Sequence, residues 1–596
     1  MESQIPAVNY SVLNELRLEG SFFDVVICAS GVEFPAHKNV LCCCSPYFRT
    51  LFSKGLNQKN DKVYNIQGIS SKMMEMIIIF AYTQTVPVTR DNVEQLMAVA
   101  NHFNVSGLLQ ICSDFLEAHL HLHNCIGICR LAYYYSCPKL RISAFEFILQ
   151  KFEELVRVSE EFLQLTFAEL CDIIERDELN VRNESLVFTA VLKWISHHPH
   201  DRNGFLTRLL SKVRLSLIDQ DLFLDNVKNN EYVKNNKYCR SLVYIAFLQA
   251  MYDLSFNVSG ASHCGYRSVH SRLPFSVLLS IGGWSGNRPT NAIEAYDSRA
   301  KVWTDVICED GPPRGFLGTA YLKGYIYLIG GSSSLGFYNK VCSFDPVKKV
   351  WQEVAPMHTC RGYVSVVVLN DLIYAMGGYD GFTRFNTVEK YNSDTNQWTL
   401  LSAMHEHRSD ASATTLHGKI YICGGFNGDI CLFTAEVYNP GVDQWSLIAP
   451  MMTQRSGMGV IAYNDEVYAV GGFDGDSCVN SVEAYNPVTD TWRTVPSMIT
   501  PRSNFGIETM EGLLYIVGGF DGFSTSAKVE SYNKETNEWK EVPDMNTDRS
   551  EFSCCVLSGL PNIREYVVYR EPPAPVNLSM ERRLSPFYNI PLLGAN

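Results

Sequence analysis

The sequence predicts a multidomain protein, with an α+β and helical N-terminal half followed by an all-β half folded as a six-bladed β-propeller. The propeller is predicted by residue types that recur in phase. Gly-Gly pairs begin at positions 282, 330, 377, 424, 471 and 518, so after a first gap of 48 residues every step is 47. An aromatic residue and a tryptophan keep the same period. A repeat of this length favours a propeller over a helical solenoid.

The in-phase aromatic residues indicate the scaffold of each blade. Two large rings per unit would fill the space between neighbouring sheets, because four short strands alone bury little apolar surface. The first ring, thirteen residues after the second glycine, is Tyr296, Phe344, Tyr391, Tyr438, Tyr485 or Tyr532. The second is Trp303, Trp351, Trp398, Trp445, Trp492 or Trp539.

One unit shows how the strands follow each other. Residues 419–423 alternate β-branched and aromatic side chains and run into the glycine pair at 424–425. Residues 435–438 predict a third strand, residues 439–440 a turn, and Trp445 begins a fourth strand. The pattern therefore predicts a four-stranded antiparallel blade.

The ends of the repeat array predict how the ring closes. Five units carry an arginine seventeen residues before the second glycine: Arg314, Arg361, Arg408, Arg455 and Arg502. A sixth, Arg549, instead precedes residues 552–557 after the last tryptophan. We expect this C-terminal segment to supply the first strand of the first blade, which would remove an exposed sheet edge.

Length, charge and cysteine content indicate the number of domains, the kinds of partner and the compartment. A chain of 596 residues predicts two to four domains. The net charge of −13 argues against a general nucleic-acid or anionic-membrane binder. Residues 1–20 show no secretory pattern, and the longest apolar run, residues 73–82, is too short to span a bilayer. Nineteen cysteines without paired spacing fit free thiols. We therefore expect a cytoplasmic protein that binds neither nucleic acid nor membrane.

The N-terminal half changes from strand to helix patterns near residue 35. Residues 22–28 predict a strand, 29–31 a turn and 32–34 a returning strand. Helices are predicted over residues 38–44, 46–52, 71–81, 91–103 and 105–120. Residues 123 to about 255 are almost wholly helical, with one apolar face formed by Leu186, Ala190, Val191, Trp194 and Ile195. Residues 257–272 lack periodicity and indicate a linker.

Short motifs in both halves resemble one family. Asp24-Val25, Ala36-His37-Lys38 and Ser45-Pro46-Tyr47-Phe48 resemble a BTB domain. The helical block, with Phe162-Leu163 and Asp177-Glu178-Leu179 before Trp194, resembles a BACK domain, and the repeats resemble kelch motifs. The expected domains are BTB 1–122, BACK 123–255, a linker 256–272, a propeller 273–568 and a tail 569–596.

This resemblance to the kelch-like family implies a dimeric substrate adaptor. The family's BTB and BACK parts bind the cullin-3 scaffold, and its propeller captures a protein for ubiquitylation. The implied cullin contact includes Phe48, Leu51, Leu56 and Gln58, with Gln58 standing where the family has glutamate. Gln58 keeps an acceptor but lacks the charge. Phe48 and Phe52 could equally fill the BTB core.

The propeller's binding face is predicted from strand direction. In an antiparallel meander the second and fourth strands end on the same side, so the loop after Gly-Gly and the loop into the next blade share a face. That face would carry Arg314, Arg361, Arg408, Arg455, Arg502 and Arg549, together with Trp284, Tyr379, Phe426, Phe473 and Phe520. Arginines and rings together suit an acidic or phosphorylated segment.

An alternative assigns these arginines to the scaffold. Perfect periodicity favours structural roles, because a ligand has no sixfold symmetry, and pairing with Asp380, Asp474 or Asp521 would provide them. We expect about half of the arginines to be structural. Blade two departs from the repeat at Ser332-Ser333 and at Cys342, which replaces the glutamate of the other five units. Such irregular positions are candidates for ligand specificity.

The remaining expectations concern assembly and chemistry. Val8, Val12, Leu13 and Leu16 lie at near-helical spacing before the first strand and predict a homodimer contact. A dimeric cytoskeletal, actin-type cross-linker is the competing function, since dimerisation alone would make the chain bivalent.

We expect no enzyme, no cofactor and no metal: His119, His121 and His123 have a spacing that spreads them around a helix.

Overall fold

The computed structural model describes residues 10–54, 63–218, 223–252, 271–286, 288–307 and 311–568. These described residues form two compact units, one within residues 10–252 and the other within residues 271–568. The N-terminal unit combines a small sheet with helices, and the C-terminal unit consists of four-stranded sheets. The predicted class, an α+β and helical half followed by an all-β half, is confirmed.

The N-terminal sheet is small and is covered by helices. Val25–Ala29 is its central strand, antiparallel to Val32–Ala36 and parallel to Val63–Ile66. Gly31 lies in the connecting turn with a φ of 80°, which favours glycine. The surrounding helices are Tyr10–Leu18, Lys38–Cys44, Pro46–Lys54, Ser71–Thr83, Val93–His102 and Ser106–Ala118.

The short N-terminal motifs hold this unit together. The Asp24 carboxylate accepts a hydrogen bond from the backbone N–H of Lys38 at 2.7 Å. The Ser45 hydroxyl donates to the carbonyl of Phe103 at 2.5 Å, and the backbone N–H of His37 donates to the Tyr82 hydroxyl at 2.7 Å. These motif residues satisfy backbone groups where strands turn into helices.

A second helical region follows. Its apolar core includes Trp194, whose indole donates to the carbonyl of Leu165 at 2.8 Å. Ala190, Val191, Trp194 and Ile195 are buried as predicted, whereas Leu186 is 38% exposed, so its assignment to the same face is wrong. The α-helices are Cys125–Tyr134, Pro138–Gln150, Phe152–Val158, Glu160–Leu163, Phe167–Glu175, Glu184–His197, Pro199–Arg202, Leu206–Leu210, Glu231–Lys234 and Lys237–Tyr252. Shorter 3-10 or π turns are Asn203–Phe205, Leu215–Leu217 and Phe223–Lys228.

The C-terminal unit contains six four-stranded antiparallel blades. The first strand of each blade contacts the first strands of both neighbouring blades, so the six sheets close into a ring. Blade one is Ser553–Ser558, Ser276–Ile281, Ile293–Asp297 and Val302–Asp305; blade two is Gly318–Leu322, Tyr325–Ile329, Val341–Asp345 and Val350–Val354; blade three is Ser365–Leu369, Leu372–Met376, Val388–Asn392 and Gln397–Leu401. Blade four is Ser412–Leu416, Lys419–Cys423, Ala435–Asn439 and Gln444–Ile448; blade five is Gly459–Tyr463, Glu466–Val470, Val482–Asn486 and Thr491–Val495; blade six is Gly506–Met510, Leu513–Phe520, Thr525–Asn533 and Glu538–Val542. Two short hairpins pair Trp284–Ser285 with Arg288–Pro289 and Ser332–Ser333 with Gly336–Phe337, and Ile563–Glu565 is a 3-10 turn.

The predicted closure by the C-terminal strand is confirmed. Ser553–Ser558 pairs with Ser276–Ile281 as the first strand of blade one. The Ser276 and Ser558 hydroxyls are 2.8 Å apart although 282 residues separate them in the chain. The ring therefore joins the two ends of the repeat array.

The periodic rings lie between adjacent blades, as predicted. The Trp445 indole donates to the carbonyl of Ser402 in the preceding blade at 3.0 Å. Tyr438 contacts Tyr374 of that blade, with ring centroids 6.1 Å apart. Apolar clusters of this kind separate successive sheets around the ring.

Among the described helices, none combines the length and the apolar composition that a bilayer crossing requires.

Candidate binding site at the propeller mouth

The loops after strands two and four of the blades meet on one face, as the strand directions predict. Isolated backbone bridges join them: Ser409 to Phe426, Ser456 to Phe473 and Ser503 to Phe520. In each pair one residue follows a periodic arginine and the other follows a Gly-Gly pair. We call the side of the ring formed by these loops the mouth face.

The predicted arginine lining of this face requires correction. Arg361, Arg408, Arg455, Arg502 and Arg549 are fully buried, and Arg314 is 4% exposed. Their side chains extend into the blades instead of toward solvent. A guanidinium in this position cannot form bidentate bonds to a protein ligand at the surface.

The buried arginines instead join the loop before strand one to strands two and three of the same blade. Arg408 donates to the carbonyl of Gly424 at 2.8 Å, to the carbonyl of Thr434 at 2.9 Å and to the Glu436 carboxylate at 3.0 Å. The partner is thus the strand-three glutamate and not a loop aspartate, which corrects the alternative assignment as well. The other such pairs are Arg361–Glu389, Arg455–Glu483, Arg502–Glu530 and Arg549–Glu294.

Blade two lacks this ion pair among the described residues. Arg314 donates to the carbonyls of Gly330 at 3.2 Å and Lys340 at 3.0 Å, and its guanidinium also contacts the Cys342 thiol at 3.6 Å and lies 5.1 Å from the centroid of the Tyr338 ring. Burial raises the pKa of Cys342, so the thiol offers no full negative charge at neutral pH. The irregular Cys342 therefore lies inside the blade and not on the mouth face.

The predicted aromatic lining of the mouth face agrees better with the structure. Tyr379 and Phe426 are half-buried, and Phe473 and Phe520 are exposed at the margin of the same cavity. Trp284 is half-buried and pairs with Ser550 in the corresponding loops of blade one. The cavity has a volume of about 800 Å³, which is large enough for several side chains of a bound segment.

One arginine at the cavity escaped the sequence prediction. Arg384 lies between the rings of Tyr379 and Phe426, 4.7 and 4.6 Å from their centroids. Its Nε donates to the Ser409 hydroxyl at 3.2 Å, and that hydroxyl donates to Asp410 at 3.0 Å. Arg384 is half-buried and faces the cavity, so it is the cationic group that a ligand would meet there.

The first strands of the six blades line a central channel, and six residues lie where this channel meets the cavity. They follow each other at intervals of 47 residues and all have a left-handed φ: Phe316, Tyr363, Asp410, Gly457, Asn504 and Glu551. Each backbone N–H donates to the carbonyl of the preceding member, and the first donates to the last, at 2.7–3.3 Å. We call this closed cycle the mouth ring; it fixes where the side chains of its five non-glycine members lie around the axis.

The backbone of the mouth ring repeats six times, but its side chains do not follow this sixfold symmetry. Phe316 and Tyr363 pack together, with centroids 3.9 Å apart, on one side of the ring. Asp410 and Glu551 lie three blades apart, on opposite sides. Between them Gly457 leaves room for its neighbour, because a Cβ there would lie 2.4 Å from the side-chain oxygen of Asn504. Aromatic and acidic groups therefore divide the mouth ring.

The environment of the mouth ring perturbs its carboxyl groups. Burial raises the pKa of Asp410 to about 7, although the Ser409 hydroxyl and Arg384 oppose the shift. Burial, with the Asp410 charge adding to it, raises the pKa of Glu551 to about 8. Two carboxyl groups that disfavour each other's ionisation are typical of a functional site.

The tips of the loops after strand two also differ between blades. Leu335, Phe382 and Phe523 occupy one register position in blades two, three and six and are 89–96% exposed. Asp429 and Asp476 occupy that position in blades four and five. Exposed apolar loop tips on one face are typical of a protein-binding surface.

The four predicted cullin-contact residues differ in their positions: one is buried, one is half-buried and two lie outside the described residues. Phe48 is fully buried, with its ring 5.2 Å from that of Phe103, so its assignment as a contact residue is wrong. Leu51 is half-buried on the same helix, Pro46–Lys54. Leu56 and Gln58 lie outside the described residues. An apolar contact at Leu51 stays a prediction.

The predicted dimerisation helix is observed as Tyr10–Leu18 and packs on Ser71–Thr83 of its own domain. Leu13 contacts the core and Leu16 is half-buried, whereas Val12 is 45% exposed. Val8 lies outside the described residues. Of the described candidates, Val12 is the best placed to contact a second chain.

The fold defines a class of protein in which a small sheet-and-helix domain and a helical region precede a six-bladed propeller. Comparison with known proteins agrees with this class. The family model for the BTB/POZ domain matches residues 13–120, and the model described as BTB And C-terminal Kelch matches residues 125–228. The Kelch motif matches residues 313–358, and the KLHDC2/KLHL20/DRC7 Kelch-repeats domain matches residues 365–560. The chain belongs to the BTB-BACK-kelch family.

Curated relatives support this assignment over half of the chain. Kelch-like protein 2 of Rattus norvegicus is 36% identical over 327 residues, and kelch-like protein 2 of Homo sapiens is 35% identical over 326 residues. Kelch-like protein 3 of Bos taurus is 35% identical over 322 residues. Each match covers 54% of this chain and 54% of the relative, so the chain spans about half the length of the curated relatives it matches.

Proposed function

We propose that this chain is the substrate-recognition adaptor of a cullin-3 RING ubiquitin ligase. The BTB and BACK parts bind cullin-3, and the propeller mouth holds the protein to be ubiquitylated. The proposal is carried by the succession, in one chain, of BTB and BACK matches and a propeller whose mouth face has an aromatic-walled cavity. An adaptor needs two protein-binding surfaces and no reacting group, so the proposed role is not enzymatic.

Calorimetric titration of the full chain with the N-terminal domain of cullin-3 tests the first surface. Leu56→Asp should weaken binding strongly, because it places a charge in an apolar contact. Gln58→Glu should leave binding equal or tighter, because it restores a charged acceptor. Val488→Asp, the same kind of change at an exposed propeller position, is the control. An absence of heat with the parent chain at tens of micromolar would contradict the proposal.

The competing function, a dimeric cytoskeletal cross-linker, makes the opposite prediction. A cross-linker would co-sediment with actin filaments and would do so equally well when Leu56→Asp is present. An adaptor would transfer ubiquitin to a captured protein in a reconstituted cullin-3 reaction, and Leu56→Asp would abolish that transfer. Actin binding without cullin-3 binding would therefore favour the cross-linker.

Homodimerisation through the N-terminal helix is part of the proposal. Light scattering of the full chain should show a dimer at micromolar concentration. Val12→Asp should favour the monomer without lowering the melting temperature, because Val12 is exposed. Leu13→Asp should lower the melting temperature as well, because Leu13 contacts the core. A parent chain that is monomeric throughout would contradict this part.

A narrower proposal concerns the setting. The sequence resembles the germ-cell member of the family, kelch-like protein ten, and we propose a cytoplasmic role in spermatogenesis. Detection of the protein by antibody in germ-cell cytoplasm, with somatic tissue as the control, tests it. Equal or greater abundance in somatic tissue would contradict the narrower proposal without affecting the adaptor function.

A further inference from the structure

The charge at the mouth differs from the charge that the periodic arginines suggested. With those arginines buried, the charged side chains lining the cavity are Arg384 and four acidic residues, Asp410, Asp476, Asp521 and Glu551. Asp521 is already engaged, because it accepts hydrogen bonds from the backbone N–H groups of Phe523 and Ser524 at 2.8 Å. The described cavity is therefore acidic at its floor and aromatic at its walls.

We propose that the mouth binds a segment of the target protein that inserts one lysine or arginine side chain between Asp410 and Glu551, with apolar neighbours against the aromatic walls. This inference rests on the proposed adaptor function and specifies the part of the target that the propeller recognises. It replaces the acidic or phosphorylated segment that the sequence suggested.

The geometry of the mouth ring supplies the reason for a cation at this point. Asp410 and Glu551 approach the axis from opposite sides, on a backbone cycle that holds both in place. A cationic side chain between them would give both carboxylates a charged partner, in addition to the Ser409 hydroxyl at Asp410, and would relieve their mutual repulsion. Each ligand bond would be charge-assisted and screened from bulk water by the cavity.

The aromatic walls of the cavity would contact the apolar parts of the bound segment. Tyr379 and Phe426 are held on either side of Arg384, and Phe473 and Phe520 continue the aromatic surface around the cavity. The methylene groups of a lysine or arginine pack well on such rings. Phe382 and Phe523, almost fully exposed at the loop tips, would contact apolar residues flanking the inserted cation.

A peptide-pool experiment with the full chain tests the ligand class. The probes are synthetic twelve-residue pools that share the same random apolar positions and differ in one central residue: lysine, glutamine or glutamate. The parent chain should bind the lysine pool about tenfold more tightly than the glutamine pool, the factor expected for one charge-assisted hydrogen bond. Raising the salt concentration should reduce this preference.

Matched variants locate the effect. Asp410→Asn combined with Glu551→Gln keeps the shape of both side chains and should remove the lysine preference. Glu535→Gln removes one negative charge at an exposed turn between strands three and four of blade six, on the face of the propeller opposite the mouth face. This variant should retain the lysine preference. Melting curves confirm that each variant is folded.

Several outcomes would overturn the inference. They are an equal or better binding of the glutamate pool, binding of none of the pools, and persistence of the lysine preference in the double variant. Cullin-3 titration of the same samples separates the two proposals. Retained cullin-3 binding without a lysine preference overturns the ligand class alone, whereas a parent chain that never binds cullin-3 contradicts the adaptor function.

Discussion

The interior of each blade and the mouth face both use arginine, but they use it in opposite ways. Arg408 is fully buried and joins its own loop to strands two and three through two carbonyls and the Glu436 carboxylate. Arg384 is half-buried between two aromatic rings and its hydrogen bond goes to the Ser409 hydroxyl. The first arrangement recurs in five of the six blades, and the second lies in blade three. Repetition marks the scaffold, and departure from repetition marks the candidate site.

The largest effect that tests this comparison is expected for Arg408→Ala. The change leaves Glu436 buried without its cation, which should lower the free energy of unfolding by about 3–5 kcal/mol. Denaturant unfolding of the full chain, followed by tryptophan fluorescence, measures the loss. Arg408→Lys should lose less, because it keeps the charge but not the planar fork of donors. A loss below about 1 kcal/mol would show that the ion pair is not a scaffold element.

The second prediction concerns the acidic half of the mouth ring. Asp410 and Glu551 have folded-state pKa values of about 7 and about 8, above those of the unfolded chain. Both carboxyls bind protons more tightly in the folded state, so the free energy of unfolding should fall as pH rises from about 4 to about 8. The expected fall is on the order of a few kcal/mol, reduced by solvent in the channel.

The double change Asp410→Asn and Glu551→Gln makes this pH effect measurable. The variant should be more stable than the parent at pH 8.5 and similar to it at pH 4.5. Glu508, deeper in the channel with its pKa raised by burial to about 7, shifts stability in the same direction, so some slope should remain. Arg384 and the Ser409 hydroxyl, which face Asp410, oppose the effect. A parent stability that is flat with pH would contradict the prediction.

The third prediction concerns blade two, where a substitution can introduce the ion pair that the other five blades have. Cys342→Glu places in blade two the residue that the other five blades carry, within reach of Arg314. The new ion pair should raise the free energy of unfolding by about 1 kcal/mol, the net gain expected after desolvation of the carboxylate. Thermal unfolding measures the change, with Cys342→Ser as the uncharged control. Destabilisation by glutamate and not by serine would show that blade two has no room for the pair.

The smallest stability effect is expected for Arg384→Ala. The arginine has two cation–π contacts and one neutral hydrogen bond, and solvent reaches its side chain. Its loss should lower the free energy of unfolding by less than about 1 kcal/mol. Measured beside Arg408→Ala under the same conditions, this change provides the contrast directly. An equal loss for both arginines would remove the distinction between scaffold and site.

The sequence predicts the blades and their closure well because these depend on period alone. Gly-Gly, Tyr and Trp in phase define four strands per unit, and Arg549 in the same series identifies the closing segment. Spacing also places the arginines correctly at the mouth end of each blade. It does not tell how deep a side chain extends, so spacing alone does not distinguish an arginine on the mouth face from Arg361 and its equivalents, which are buried inside the blades.

Arg384 was missed for the complementary reason. Its register position holds Phe337, Cys431, Cys478 and Thr525 in other blades, so no period draws attention to it. The argument that a ligand lacks sixfold symmetry applies to this position and to the mouth ring, where Asp410 aligns with Gly457 and Asn504. Aligning the units and noting the variable positions near the axis would have identified both. The approach of Asp410 to Glu551 required the three-dimensional ring.

The pairing of Ser276 with Ser558 has a consequence for biosynthesis. Blade one stays three-stranded until residues 553–558 leave the ribosome, 282 residues after its second strand begins. At ordinary translation rates of about 5–20 residues per second this interval is about 15 to 60 s. Throughout that time the edge of Ser276–Ile281 is open to other nascent chains. A stop codon after Trp539 would make the exposure permanent, and chaperone engagement of the ribosome-bound chain should persist until the final strand is synthesised.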